Sequence, residues 1–389
     1  SILLCSPIYL RGLHLCSGGD WRTPDSLFAR MDPEQPEEFW QLSDQLWRFF
    51  IARNENELLL RTVDSLGFRG KEPPPGSLED RARFRANIQA LFQTLKQGGE
   101  PDQKQLDPIL AQYRAIAEQA EASQFLRVLS PCPMLARADS PEQQLVLSQE
   151  RYSTVCLDLL GLIAIGRYQP GDRLPTHDQL QAAYGVSRDT TVKAISVLRR
   201  WGVVTAAPRR GISVMMDLEG LKKIQITPES IACHVRRYLD SLELLSLTVE
   251  RVAAHAGPHI DARRLRGALL NQLEQPYEHQ LIPRTLLDLI TDHIQYDALR
   301  SIYGLLARNF SIGRSIPKLV SRDKNPRNTA IYQRCIGAAD LLIAGDIRRF
   351  AAETAQTIEE IRRLVIAECR RLGYWEAAMA VYDGTLLWS

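Results

Sequence analysis

The sequence lacks three features that would place a protein quickly in a functional class. No run of about 18 apolar residues occurs along its 389 residues, so we expect neither a membrane-spanning helix nor a membrane partner. Its seven cysteines include no C-x-x-C pair, which disfavours a zinc or redox motif and favours free thiols in a reducing, cytoplasmic compartment. The formal net charge is only +2, so a nucleic-acid site has to be a local basic patch.

Signatures of catalysis are missing as well. The chain has no nucleophile elbow, no Walker loop and no dinucleotide fingerprint, and it shows no set of convergent acids and bases. We therefore expect a protein that is not an enzyme, with no catalytic residues and no cofactor.

Helical periodicity dominates the sequence on both sides of a short mixed segment. Residues Glu37–Asn54, for example, repeat large apolar side chains at the spacing of one helix face. The proline-rich stretch Ser130–Pro141 is typical of a domain boundary. We predict a mainly α fold: a helical domain at 1–135, a central domain with a small β hairpin at 145–218, and an all-helical domain at 227–375.

The two helical regions resemble each other. Residues Glu37–Glu121 can be laid on Arg284–Glu360 with few gaps, and in that arrangement the segment that begins at Phe84 faces the one that begins at Tyr332. Two readings stay open: a true internal duplication, or the chance likeness of two amphipathic helical bundles. A duplication implies that a second DNA-binding segment precedes residue 1.

The central segment carries the pattern of a helix-turn-helix. Thr176 is placed to cap a short helix at 177–184, and Gly185 to end it with a left-handed residue. Ser187 then caps a second helix, Arg188–Trp201. Its apolar positions Val192, Ile195 and Leu198 are predicted to face the core, which leaves a basic face for the major groove of DNA.

A hairpin follows the second helix. Two short β-strands, Val203–Ala206 and Ile212–Met215, are predicted on either side of the sequence APRRG, and arginines at such a tip can reach phosphates or a minor groove. From Val186 to Val214 the sequence has six basic residues and one acidic residue, Asp189. This basic patch, in a chain that is nearly neutral, indicates a winged helix-turn-helix that binds DNA.

These residues resemble the GntR family of bacterial regulators. The likeness covers PGDRLPTHDQLQAAYGVSRDTTVKAISVLRRWGVV and the RRGISV of the wing, about one sixth of the chain. It implies a DNA-binding transcription regulator, often a repressor, whose all-helical domain dimerises and binds a metabolite. By position, the implied DNA-binding residues are Thr176, His177, Ser187, Arg188, Thr190, Thr191, Lys193, Arg209, Arg210 and Gly211.

One residue departs from the family pattern. Asp178 stands where members usually have an arginine that meets DNA. Either His177 replaces that arginine, or affinity is lower, or the helix sits differently on DNA.

The region after the hairpin is similar in part to the all-helical effector domain of fatty-acid-regulator (FadR) type. Many such domains hold a metal through one Asp and three His, but here Asp288 and His293 are five residues apart and do not share a helix face. The later positions carry Tyr332, Gln333 and Ile358 instead of histidine. We therefore expect no metal.

Two functional hypotheses follow. The first is a regulator that binds double-stranded operator DNA as a homodimer, or as an intramolecular pseudo-dimer if the duplication is real, under the control of a small metabolite. The second is a helical interaction scaffold whose winged segment no longer binds DNA, and Asp178 is the residue that motivates it.

Overall fold

The structure is a computed structural model, and it describes residues 2–65, 76–125, 152, 155–207, 211–224, 228–275, 278–316 and 326–380. These residues form two compact units that divide between residues 134 and 135. The proline-rich boundary at 130–141 and the wing arginines Arg209 and Arg210 lie outside the described residues. None of the described helices combines the length and apolar character needed to cross a bilayer.

Unit 1 is all helical. Its helices are α1 (Ile2–His14), α2 (Arg22–Arg30), α3 (Pro36–Ala52), α4 (Glu57–Ser65), α5 (Leu78–Lys96) and α6 (Gln103–Phe125). Helix α3 matches the amphipathic segment predicted at 37–54, and it buries one apolar face that includes Phe39, Leu42, Leu46 and Phe50.

Aromatic rings fill the interior of unit 1. The ring of Trp40 lies 5.4 Å from that of Phe84 and 5.5 Å from that of Tyr113, so α3, α5 and α6 meet through tilted and edge-on rings. Another cluster joins Trp21, directly before α2, to Phe92 of α5 at 5.2 Å.

Unit 2 begins with the winged segment. Its elements are α7 (155–164), α8 (His177–Tyr184), α9 (Arg188–Arg200), β1 (Val204–Ala207), β2 (Gly211–Val214) and α10 (Leu218–Lys223). The strands pair antiparallel, with Val204 opposite Val214 and Ala207 opposite Gly211. Side chains from all these elements share one apolar core, in which Leu160, Leu180 and Leu198 are almost fully buried.

A helical domain completes unit 2. Its helices are α11 (Pro228–Ala256), α12 (Ala262–Glu274), α13 (Ile282–Asp292), α14 (Asp297–Phe310), α15 (Pro326–Ile343), α16 (Ile347–Arg371) and α17 (Tyr374–Ala380), with short 3₁₀ turns at Gly257–His259, Glu278–Leu281 and Ser311–Ser315. The long helices α11 and α16 pack along each other, and α15 packs on α16. The predicted fold class, mainly α with a small hairpin between helical regions, is confirmed.

Candidate nucleic-acid interface

The first helix of the helix-turn-helix is closed at both ends by local interactions. The Thr176 hydroxyl accepts a hydrogen bond from the Gln179 amide, and the Gln179 side chain accepts one from the Thr176 amide at 2.8 Å. At the other end Gly185 has a φ of 61°, a conformation that suits glycine because it has no Cβ. The cap and the turn predicted from the sequence are both confirmed.

The second helix, α9, starts at a similar cap and buries most of the predicted face. Ser187 accepts a hydrogen bond from the Thr190 amide, as expected. Ile195 and Leu198 are buried as predicted, together with Thr191 and Ala194, whereas Val192 is 47% exposed. The prediction that Val192 faces the core is wrong, since Thr191 takes the buried position at that turn of the helix.

Thr191 can be buried because its hydroxyl has partners inside the protein. Its Oγ1 donates to the carbonyl of Arg188 at 2.8 Å and lies 2.9 Å from Nδ1 of His177. The side chain of Thr191 is therefore a link between α8 and α9, and it is not available to DNA. This corrects the expectation that Thr191 contacts a phosphate or a base edge.

The same contacts define the role of His177. Because the Thr191 hydroxyl donates to a carbonyl, it accepts from Nδ1–H of the His177 ring. His177 thus orients α8 against α9.

Asp178 is exposed in the first turn of α8. Its carboxylate accepts a hydrogen bond from the Gln181 side chain at 3.2 Å. A carboxylate here is favourable for the helix itself, because the amino end of a helix carries partial positive charge. Toward DNA the same charge is repulsive.

The outward face of α9 is mixed in chemistry. Arg188, Val192, Ser196 and Arg199 follow one another along its exposed side, and Thr190 is half-buried beside them. Lys193 is exposed too, but its Nζ lies 4.3 Å from the ring centre of Tyr152, in a cation–π contact. The sequence interpretation missed Val192 as a surface residue, and its spacing of four from Arg188 was the available signal.

The hairpin is joined to the turn that precedes α8. Arg173 forms a β-bridge with Ser213, and the amide of Leu174 donates to the carbonyl of Ile212 at 2.9 Å. Gly211 has a φ of 78°, with open space where a Cβ would stand. The predicted tip residues Arg209 and Arg210 lie outside the described residues.

A second candidate site is a cavity of about 180 Å³ in the helical domain. It lies between α11, α13, α15 and α16, and Tyr238, Arg284, Arg314 and Tyr332 contribute polar groups to its wall. Burial raises the pKa of Asp288 above its usual range even though Arg284 pairs with it at 2.7 Å.

The two residues considered for a metal have other contacts. Asp288 pairs with Arg284, and Nδ1 of His293 lies 2.8 Å from the carbonyl of Leu289 at the end of α13. Within the part of the chain that the structure describes, no three His, Cys, Asp or Glu side chains are grouped so that they could hold a metal ion.

Comparisons with known proteins give a family for the winged segment. Residues 151–214 match the model of the bacterial regulatory proteins of the gntR family. No curated protein sequence matches the chain.

Three similar solved structures have sequence identities below 20%. The first is Lar, which controls the expression of the Listeria monocytogenes agr system and mediates virulence; it is 19% identical and covers 58% of this chain and 97% of its own, with a TM-score of 0.27. The second is a transcriptional regulator of GntR type from a Rhodococcus species, 19% identical over 56% of this chain and 98% of its own, with a TM-score of 0.28. A GntR protein of Streptococcus agalactiae is 16% identical over 55% and 99%, with a TM-score of 0.24.

The family assignment depends on the matched segment and not on these distant likenesses. The match includes both helices of the helix-turn-helix, the turn at Gly185 and the hairpin. Residues 151–214 are thus a winged helix-turn-helix segment of the gntR family, set between two helical regions of a longer chain.

Proposed function

We propose that this chain is a transcription regulator that binds double-stranded operator DNA through α9 and the wing. The observation that carries the proposal is the capped pair α8–α9, which directs Arg188 and Val192 outward from a well-packed core. An arginine at the start of a recognition helix is suited to guanine, and an exposed apolar side chain to the methyl group of thymine.

The proposed contacts follow from exposure. Base edges are contacted by Arg188 and Val192. Phosphates are contacted by Thr190, by Lys193 and by the backbone amides at the starts of α8 and α9. The caps Thr176 and Ser187 position those amides, and His177 holds the two helices together. Arg209, Arg210 and Gly211 form the wing contact.

A binding assay tests this directly. We expect the full chain to prefer its own promoter DNA over random duplex at physiological salt, measured by fluorescence anisotropy. Arg188→Ala should weaken specific binding by about 5- to 150-fold, the loss of one base contact of 1–3 kcal/mol. The exposed helix residue Arg363→Ala is the matched control and should leave the affinity unchanged. Equal affinity for promoter and random DNA would rule the proposal out.

Recognition of a palindromic operator needs two winged segments about one helical turn of DNA apart. We propose that a homodimer supplies them, or a pseudo-dimer within one longer chain. Light scattering separates the two, because a mass near one chain excludes the homodimer. Such a regulator acts in the cytoplasm, where bacterial operator DNA is.

We further propose that the helical domain binds a small metabolite that controls DNA binding, without catalysing a reaction. The support is the cavity of about 180 Å³, which has both apolar and cationic walls.

The order and packing of helices in unit 1 support an internal duplication. Helix α1 packs on α3, α4 and α6, and α3 packs on α2, α4 and α5, while α5 packs on α6. In the helical domain α11 packs on α13, α14 and α16, α13 packs on α12, α14 and α15, and α15 packs on α16. Each pair in unit 1 therefore has a counterpart ten helices later, in the same order as the sequence alignment.

The alternative function is an interaction scaffold that has lost DNA binding. Asp178, exposed on α8, is the observation that favours it. Asp178→Arg separates the two hypotheses: a regulator should gain affinity for DNA, with a steeper dependence on salt, because one more phosphate is neutralised. A scaffold should show no DNA binding before or after the change.

A further inference from the structure

A chain of polar contacts joins the cavity of the helical domain to the helix-turn-helix. Arg314, from the 3₁₀ turn after α14, lines the cavity. Its Nη2 donates to Oδ1 of Asp158 in α7 at 2.6 Å, and the other oxygen of Asp158 accepts from the hydroxyl of Tyr184 at 2.6 Å. Tyr184 is the last residue of α8, directly before the turn glycine.

Arg314 is only partly satisfied by this arrangement. Its Nε is buried and has no hydrogen-bond partner among the described residues. Nε–H and Nη2–H lie on one edge of a guanidinium group, and that edge fits the two oxygens of a carboxylate. Asp158 uses only one of the two donors, since its second oxygen is held by Tyr184.

The neighbouring arginine is already occupied. Arg284 pairs with Asp288 at 2.7 Å, and its Nη1 donates to the carbonyl of Ala307 and to Ser311. Of these two arginines, Arg314 is the one with a buried donor, Nε–H, that no described residue satisfies. Apolar side chains of Phe310, Ile361 and Val365 line the rest of the same space.

The size of the cavity limits the ligand. Its volume of about 180 Å³ is close to that of the ~150 Å³ engineered cavity that binds benzene. A small acid with a ring or a short branched chain has the matching shape: an apolar body toward Val365 and a carboxylate toward Arg314.

We propose that this cavity binds a small organic acid whose carboxylate takes Arg314 away from Asp158. The two oxygens of the ligand carboxylate replace the single contact that Asp158 makes with Arg314. The ion pair between Arg314 and Asp158, which joins the helical domain to α7, is then broken. Tyr184 then keeps Asp158 within the winged segment, because burial and the Asp158 carboxylate hold the pKa of Tyr184 above its usual range and the hydroxyl remains a donor. This inference depends on the proposed function for its effect on DNA: the released winged segment loses its fixed orientation and binds the operator more weakly.

Two probes test the ligand class on the full chain. Benzoate should raise the melting temperature in a thermal-shift assay, whereas its neutral analogue benzamide and inorganic phosphate should not. Arg314→Gln should abolish the shift, and Arg314→Lys should weaken it, because an ammonium group cannot hold both oxygens in a plane. The exposed Arg308→Gln, on α14, is the matched control.

The decisive variant lies outside the cavity. Asp158→Asn removes the competing carboxylate, so we expect the variant to bind benzoate about tenfold more tightly by calorimetry, within the range usual for coupled sites. Without ligand, the same variant should bind DNA as weakly as the benzoate-loaded protein. Unchanged benzoate affinity in Asp158→Asn would refute the competition, and absence of benzoate binding to the unaltered chain would refute the acid site. Loss of operator preference alone would overturn the proposed function but not these ligand measurements.

Discussion

Unit 1 and the helical domain pack their helices in the same order, yet their interiors differ. Each has a cavity between corresponding helices: α1, α3, α5 and α6 in unit 1, and α11, α13, α15 and α16 in the helical domain. The first cavity measures about 30 Å³ and the second about 180 Å³. In unit 1 the space is filled by the aromatic side chains of Trp47, Phe84 and Tyr113. The larger cavity of the helical domain is bordered by two arginines, Arg284 and Arg314.

A shared helix arrangement is therefore not sufficient to create a ligand site. Phe84 is aligned with Tyr332 when the two regions are compared, and each residue lies at the wall of its own cavity. The space around Phe84 has room for about one water, since a water occupies roughly 30 Å³ in the liquid. Side-chain volume therefore separates a packed core from a binding site, and of these two cavities the one in the helical domain has both room and cations.

The greatest loss of stability is expected from a cavity made in the packed core of unit 1. Phe84→Ala removes a ring that is 1% exposed and should destabilise unit 1 by about 3–5 kcal/mol, because a tight core leaves an empty space behind. Phe310→Ala, at the edge of the existing cavity, should cost clearly less. Hydrogen exchange measured by mass spectrometry reports α5 and α14 separately. Equal losses in the two variants would contradict the contrast between the interiors.

A pH effect is expected in unit 2, where α11 meets the winged segment. Burial, with Arg237 nearby, lowers the pKa of His234 from its usual 6.5 to about 4. The folded protein therefore favours the neutral ring of His234, whereas the unfolded chain binds a proton there below pH 6.5. The free energy of unfolding is at its full value above pH 6.5 and decreases as the pH falls toward 4, by up to a few kcal/mol. Urea unfolding at pH 7 and pH 4.5 measures this loss for unit 2.

The control for that effect is His234→Asn. This variant cannot take up the proton, so the fall in stability between the two pH values should become smaller. Arg200 and His234 line the same pocket. The same pH dependence in the variant and the unaltered chain would assign the effect to other groups.

A smaller effect compares a phenylalanine substitution at the wall of each cavity. Leu110 of α6 and Val365 of α16 line the two cavities. Leu110→Phe should destabilise unit 1 by about 1–3 kcal/mol, because it overfills a packed core. Val365→Phe should change stability little, since its ring enters open space, and it should abolish the thermal shift with benzoate. A retained shift would place the acid elsewhere.

Local features of the site were predictable from the sequence. Thr176, Gly185 and Ser187 were assigned correctly as caps and turn, because their interactions reach only three or four residues along the chain. The choice between Thr191 and Val192 as the buried residue of α9 was not, because both fit an apolar stripe within the precision of helical spacing. The hydroxyl of the buried Thr191 is satisfied by the Arg188 carbonyl and by His177, fourteen residues away.

The helical fold class, the helix-turn-helix caps and the basic character of the central segment follow from the sequence. They depend on short-range periodicity, on turn chemistry and on the count of charges. The packing of the helices decides whether Thr191 or Val192 is buried, how much empty space each helical region encloses, and that Arg314 meets Asp158 across 156 positions of the chain. Such contacts depend on how separate helices pack, and local patterns of residues do not predict that packing.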